Sequence, residues 1–306
     1  MAGVPALSRP RRGRGARPGA VRPLGAEDTL ALLEASVVHR EGDLLALSKP
    51  PGLPVRGATG EPSLATLLPT LSRRLGLPPE LHMVKAPPRE CSGLVLLSGC
   101  RRAAERLQRF FSESRRSGGF PVTYRAVTVG VPAEPQGEVC TGLQREQRGG
   151  TVAVVPVAAP SRRSLARKEV RRTVTRYRVL GAAGGCALLQ LQPRTAFPGQ
   201  LLAHLTLLLC PALGDHERSV PVGRVLGQPF LLPAEAARPP EQVLDEELER
   251  RLRLEPGPRR RRLPLHLHLE QLALPAAVLT APPPPFFLRT LRLLGLPHGP
   301  PAPPPH

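Results

Sequence analysis

The sequence predicts an α+β fold built on a mixed, largely antiparallel sheet flanked by helices. Three observations carry this. Hydrophobic residues make up 41% of the 306 positions, enough for a sizeable core. Apolar segments of strand length outnumber helical ones, and the two kinds alternate without the strand–helix–strand regularity of a parallel sheet.

In chain order, Val37 to Lys49 reads as strand, turn, strand, with Glu41-Gly42-Asp43 turning. Pro50-Pro51-Gly52-Leu53-Pro54 then forbids regular structure. Ser63 to Leu75 carries apolar residues at Leu64, Leu67, Leu68, Leu71 and Leu75, a helical spacing. Leu94-Val95-Leu96-Leu97, bounded by Gly93 and Gly99, fits a buried strand. Residues 101–116 form an amphipathic helix with Ala104, Leu107, Phe110 and Phe111 on one side and Arg102, Glu105, Arg106 and Arg109 off it. Strands are expected near 122–129, 152–157, 173–180 and 186–191, the last two joined by a turn at Gly181 to Gly185. A helix from about Gln200 to Leu209, a strand near 219–226, a surface helix from Glu241 to Leu254 and a strand from Leu265 to Leu274 complete the pattern.

The charge balance points to a polyanionic partner. The net charge is +19, and all but three of the 43 basic residues (Lys49, Lys85 and Lys168) are arginine, the side chain suited to forked phosphate contacts. With seven Phe, two Tyr and no Trp, the chain lacks the stacking rings that an RNA-recognition-motif sheet uses. No apolar stretch reaches the length of a membrane span. The five cysteines are widely spaced with no CxxC pair, which excludes zinc knuckles and ribbons and reads as reduced, mostly buried thiols.

Residues 1–26 hold six arginines and no acid, the composition of a mitochondrial transit peptide, although Pro5, Pro10, Pro18 and Pro23 break any long helix there. The alternative is a disordered basic arm. The expected organisation is this arm, a single domain over 27–296 with an insertion at about 228–262, and a proline-rich disordered tail over 297–306. A transit peptide implies the mitochondrial matrix.

Few residues suggest chemistry in isolation. His266 and His268 share a strand face, but Leu-His-Leu-His-Leu without a third ligand nearby is an ordinary alternating strand, so no metal is expected. Neither a Gly-x-Ser-x-Gly elbow nor a phosphate-cradling glycine loop is present. Arg115-Arg116, Arg162-Arg163 and the run Arg259 to Arg262 suit either solvent or phosphates equally well.

The informative blocks are collinear. Leu45-Ala46-Leu47-Ser48-Lys49-Pro50-Pro51-Gly52-Leu53-Pro54-Val55 resembles the N-K-P-x-G-L-x-V motif of RluA-type RNA pseudouridine synthases. Arg89-Glu90-Cys91-Ser92-Gly93-Leu94 resembles the second half of that family's H-R-L-D-x-x-T-S-G-L motif, and Thr123-Tyr124-Arg125-Ala126-Val127 its K-x-Y-x-A-x-V strand. Val174 to Leu180, the stretch Leu191 to Thr195 with Gln200, His204 and Gly214-Asp215, and Leu265 to His268 with Ala281 to Pro284 follow the family's remaining blocks. The resemblance covers roughly residues 37–296 and implies the pseudouridine synthase fold, an RNA substrate, no metal and no diffusible cofactor.

The resemblance also implies an aspartate nucleophile, and here the sequence departs. No aspartate occurs between Asp43 and Asp215, and alignment places Lys85 or Pro88 in the slot, beside the expansion Ala86-Pro87-Pro88. Leu202 replaces the basic residue that pairs with that aspartate. A buried arginine without its carboxylate costs about 3–5 kcal/mol, so the paired loss is physically coherent. The resemblance then leaves Glu90 as the carboxylate to carry catalysis and Tyr124 as the site tyrosine, with Lys85, Arg89, Arg102, Arg106 and Arg109 holding RNA phosphates. The expected activity is isomerisation of uridine in mitochondrial messenger or ribosomal RNA. The alternative is RNA binding without catalysis.

Overall fold

The structure, a computed structural model, describes residues 25–57, 61–148, 151–216, 222–225, 228–231, 241–254 and 262–298. Most of the basic arm and of the expected tail thus lie outside the described residues.

The chain opens with helix α1 (Ala26–Ala35), which buries Thr29, Leu30 and Leu33. Strands β1 (Val37–Glu41) and β2 (Leu44–Lys49) form the anticipated hairpin. Helix α2 (Leu64–Arg74) begins at a capping box, in which Ser63 Oγ accepts from the Thr66 N–H and the Ser63 N–H donates to Thr66 Oγ1. Then come β3 (His82–Lys85), β4 (Ser92–Ser98), α3 (Arg101–Arg116) and β5 (Val122–Val129). The long strands β6 (Gln136–Arg148) and β7 (Thr151–Val157), the short helix α4 (Arg162–Ala166), β8 (Val170–Ala183) and β9 (Cys186–Pro193) extend the sheet. Helix α5 (Gln200–Leu207), a separate hairpin of β10 (Val222–Val225) and β11 (Gln228–Leu231), α6 (Glu246–Arg251), β12 (Leu267–Ala273), β13 (Val278–Thr280) and α7 (Pro285–Leu294) finish the fold.

The main sheet runs β1-β2-β4-β12-β5-β9-β8-β6-β7, with β3 on β4 and β13 on β12. Every pairing is antiparallel except β4 with β12. Strand β12 joins the two halves by sliding between β4 and β5. Gly93 makes that junction possible, because a Cβ on it would stand 2.2 Å from the Leu269 carbonyl oxygen.

Alternation along the central strands feeds both faces. Leu94, Leu96, Val122, Tyr124, Ala126, Leu189, Leu191, Leu267 and Leu269 form one cluster with Phe111 of α3 and Leu205 of α5. On the other face α1 and α2 cover Leu45, Leu47, Val95 and Leu97, while α6 and α7 cover Val127, Val129 and Leu188.

The expected elements appear, with shifted ends and several additions. The helix expected over 241–254 is regular only at Glu246–Arg251, yet Leu244, Leu248 and Leu252 are buried, so this part of the supposed insertion is packed core. The strand expected near 219–226 is β10, and residues 217–221 and 226–227 lie outside the described residues. Helix α7 runs through a proline-rich segment to which the sequence reading gave no helix. Pro285 stands at its first turn, where a missing N–H costs nothing. Pro297 packs on Gly181, where a Cβ would stand 2.5 Å from its Cδ.

The second face carries buried polar groups, each with a partner. Arg125 of β5 and Glu270 of β12 form an ion pair at 2.8 Å, with side chains 3% and 6% exposed. His266 Nδ1 donates to the Leu213 carbonyl and its Nε2 accepts from Thr290 Oγ1 at 2.8 Å. His268 Nε2 donates to the Ala281 carbonyl at 3.1 Å and its Nδ1 accepts from Ser92 Oγ at 2.9 Å. These partners fix each ring as a neutral tautomer with both nitrogens engaged.

Burial pushes His204, His266 and His268 down from 6.5 to about 4. Between these values the unfolded chain binds more protons than the folded one, so stability falls as pH falls. Each ring contributes about 3 kcal/mol across the full window, and three together exceed half the stability of a typical domain. The urea midpoint at about pH 5 is therefore expected to lie well below that at pH 7. Equal midpoints would contradict the buried neutral rings.

Candidate active site

The site lies on the face of the sheet that carries Tyr124. Its first component is a clamp. Lys49, at the end of β2, is fully buried, and its Nζ donates to the carbonyls of Pro50 (3.0 Å), Leu53 (2.9 Å) and Arg89 (2.9 Å). The Gly52 N–H adds a bond to the same Arg89 carbonyl at 2.9 Å. Residues 50–54, which their prolines bar from helix and sheet, are thereby tied to the loop over residues 86–91. Burial pulls Lys49 down from 10.5 to about 8, opposed by the nearby Glu90 carboxylate.

That loop ends at Cys91, whose N–H donates to the Pro88 carbonyl. The Cys91 thiol is buried, and loss of water pushes it up to about 12, against the pull of Lys49; Glu90 and Asp215 push it the same way. It is therefore a neutral thiol. Glu90, the expected catalytic carboxylate, is 63% exposed and lies 3.5 Å from Arg89 Nε, while Arg89 Nη2 binds Glu61 at 2.6 Å. Both side chains sit at the rim rather than in the interior.

Tyr124 lies on β5 between Leu269 of β12 and Leu191 of β9, and it is 6% exposed. Burial and the neighbouring Cys91 raise its hydroxyl well above 10, with Arg115 acting in the opposite direction. At neutral pH it is a neutral phenol, able to donate a hydrogen bond and to present a ring.

Two helices flank this floor. Helix α3 is tied to β3 by Gln108 Nε2, which donates to the Met83 carbonyl at 2.7 Å. It buries Ala104 and Phe111 and shows Arg102, Arg106 and Arg109 to solvent. Helix α5 is tied to β8: Thr195 Oγ1 bonds Gln200 Oε1, Gln200 Nε2 bonds Thr175 Oγ1, and the Val174 N–H bonds Thr195 Oγ1, each at 2.9 Å. This knot sets Leu201, Leu202 and Leu205 against the cluster that holds Tyr124. Leu202 presents methyl groups there, in place of the cation the resemblance implies.

The structure thus brings Lys85, Cys91, Arg115 and Tyr124 to one region, with Glu90 and Arg89 at its edge and Arg102, Arg106 and Arg109 on the outer surface of α3. Sequence reasoning passed over two of its parts. Lys49 stood inside a quoted motif without a role. Arg115 was grouped with Arg116, although it follows Phe111 at i+4 on the buried stripe.

A strand inserted between two antiparallel halves, with a tyrosine on its floor and a clamped loop at its edge, is the arrangement of a pseudouridine synthase. Residues 43–207 match the family described as RNA pseudouridylate synthase, and the chain belongs to that family, whose members are isomerases. It is 49% identical over 289 residues to a Mus musculus protein named mitochondrial mRNA pseudouridine synthase Rpusd3, covering 91% of this chain and 83% of that one. The Homo sapiens protein of the same name is 49% identical over 281 residues, 89% of this chain and 80% of the relative. Among solved structures, human RNA pseudouridylate synthase domain containing 4 superimposes with a TM-score of 0.69 at 28% identity, covering 88% of this chain and 97% of that one.

Proposed function

We propose that this chain isomerises uridine to pseudouridine in mitochondrial RNA, with messenger RNA as the substrate class. The reading is carried by the Lys49 clamp, which holds the loop bearing Glu90 and Cys91 beside the tyrosine floor. The names of the relatives support the compartment and the RNA class.

The reaction breaks the bond from the sugar C1′ to N1 of uracil and makes one from C1′ to C5. The C5 hydrogen leaves as a proton and N1 gains one, so no oxidant or reductant is needed. Tyr124 supplies a ring for a flipped base, an interaction worth about 1–3 kcal/mol. Glu90 is the nucleophilic carboxylate on the clamped loop, with Arg89 Nε 3.5 Å away. RNA entry turns its side chain inward from the rim. Lys85, Arg89, Arg102, Arg106 and Arg109 hold the phosphates.

A second reading, RNA binding without isomerisation, is favoured by Leu202 and by the outward course of Glu90. The two separate in a mapping of pseudouridine on mitochondrial transcripts incubated with wild type, Glu90→Gln and Tyr124→Phe. New pseudouridine with wild type, lost in Glu90→Gln, supports the first reading. Product that persists in Glu90→Gln removes Glu90 from the chemistry, and bound but unmodified RNA establishes the second.

Either reading makes binding electrostatic. A footprint of about six phosphates is expected to lose on the order of a thousandfold in affinity between about 50 and 200 mM salt. Near-constant affinity would reject the arginine-based interface. The acid-free arm supports import into the matrix, so a chain lacking residues 1–26 is expected to stay in the cytosol and still fold. Unchanged mitochondrial localisation of that truncated chain would overturn this.

A further inference from the structure

We propose that Lys85 and Arg115 form a phosphodiester-binding subsite beside Tyr124, which seats the RNA backbone next to the base that enters the site. This deepens the RNA reading and rests on it.

The placement of Arg115 is the first observation. Helix α3 turns Ala104, Leu107 and Phe111 toward the sheet, and Arg115 follows Phe111 at i+4, so the inward stripe ends in a guanidinium. It is partly buried, which lowers its pKa, and it lies close to Tyr124. Lys85, the last residue of β3, is also partly buried, and the charge acting on it is that of Arg115.

The second observation is what these two cations lack. Arg125 meets Glu270, Arg89 meets Glu61, Arg101 meets Glu105 and Arg194 meets Glu138. Among the described residues, neither the Lys85 nor the Arg115 side chain makes an ion pair or a hydrogen bond. Two like charges share a desolvated place on opposite sides of the α3–β3 contact. An anion that joins them relieves their mutual repulsion and makes up for the lost hydration.

The chemistry of that anion follows from the donors. A guanidinium offers parallel N–H groups that match two oxygens on one phosphorus, and a lysine adds a third point of contact. A phosphodiester carries one negative charge at every pH of interest and leaves its two esters free to run out of the site. The adjoining Tyr124 ring places the base next to it. Desolvation and Arg115 together pull Lys85 down to about 8, so the subsite weakens as pH rises through that value.

The test uses the full chain and a fluorescent oligouridylate, with affinity followed against salt and pH. Lys85→Met and Arg115→Met are each expected to lower the salt slope by about 0.7, as loss of one phosphate contact on a single strand does. Wild-type affinity is expected to decline between about pH 7 and 9. The part of that decline due to Lys85 should be lost in Lys85→Met and in Lys85→Arg, the latter keeping the affinity. The part due to Lys49, which also lies near 8, should remain in both. In Arg115→Met the Lys85 part should move upward, because the like charge is gone; melting temperatures report whether each variant folds. Inorganic phosphate at constant ionic strength is expected to compete feebly. Competition as strong as that of oligouridylate would assign the subsite to free phosphate and overturn the proposal. Wild-type binding whose salt slope survives both substitutions overturns the subsite alone. A wild type that does not bind oligouridylate overturns the RNA reading and the subsite with it.

Discussion

Replacing Glu270 by leucine is expected to cost about 3–5 kcal/mol of stability. The substitution leaves the Arg125 guanidinium buried between β5 and β12 without its carboxylate. Burial raises the Glu270 carboxyl and Arg125 lowers it, so the charged form is held by its partner against desolvation. A chain that also carries Arg125→Met removes both charges and is expected to recover most of the loss. Urea unfolding of the two single variants and the double variant closes the cycle. Additive losses would show that the pair at 2.8 Å contributes no coupling.

Replacing Lys49 by methionine is expected to release the loop at the site. Three charge-assisted bonds, to Pro50, Leu53 and Arg89, disappear together, and the Leu53 carbonyl is left buried without its donor. Each is worth about 1.5–3 kcal/mol, so the loop loses enough to open locally while the sheet persists. Hydrogen exchange reads this directly. The Gly52 and Cys91 amides, which bond Arg89 and Pro88, should exchange at least on the order of a hundredfold faster, whereas β9 amides should not change. Equal exchange in both chains would remove the clamp from the account.

Much of the fold was legible wherever an apolar period met one face of the sheet. The buried run at Leu94–Leu97 and the stripe Ala104, Leu107, Phe111 gave β4 and α3 directly. Strand β6 was not legible, because Gln136–Arg148 sets only Val139, Cys140 and Leu143 among polar residues and glycines, and most of its length is held by backbone pairing to β7 and β8. Strand β3, only four residues long, offers too short a pattern. Helix α7 was hidden by prolines that stand at its start rather than inside it. For the site, the motif resemblance located Tyr124 and the loop before Cys91. It did not reveal the Lys49 clamp, since a lysine inside a loop motif looks solvated until three carbonyls converge on it. Arg115 was readable from its i+4 distance to Phe111, but its twin Arg116 masked the signal.

The account rests on an isomerisation at C5, and that atom provides the most direct measurement. Forming the bond from C1′ to C5 expels the C5 hydrogen, so RNA carrying tritium at C5 of uridine releases it to water once for every pseudouridine made. Mitochondrial messenger transcripts labelled in this way and incubated with an excess of the wild-type chain are expected to release tritium up to one equivalent per modified uridine. Transcripts that are demonstrably bound yet release none would contradict catalysis by this chain and leave it an RNA-binding member of its family.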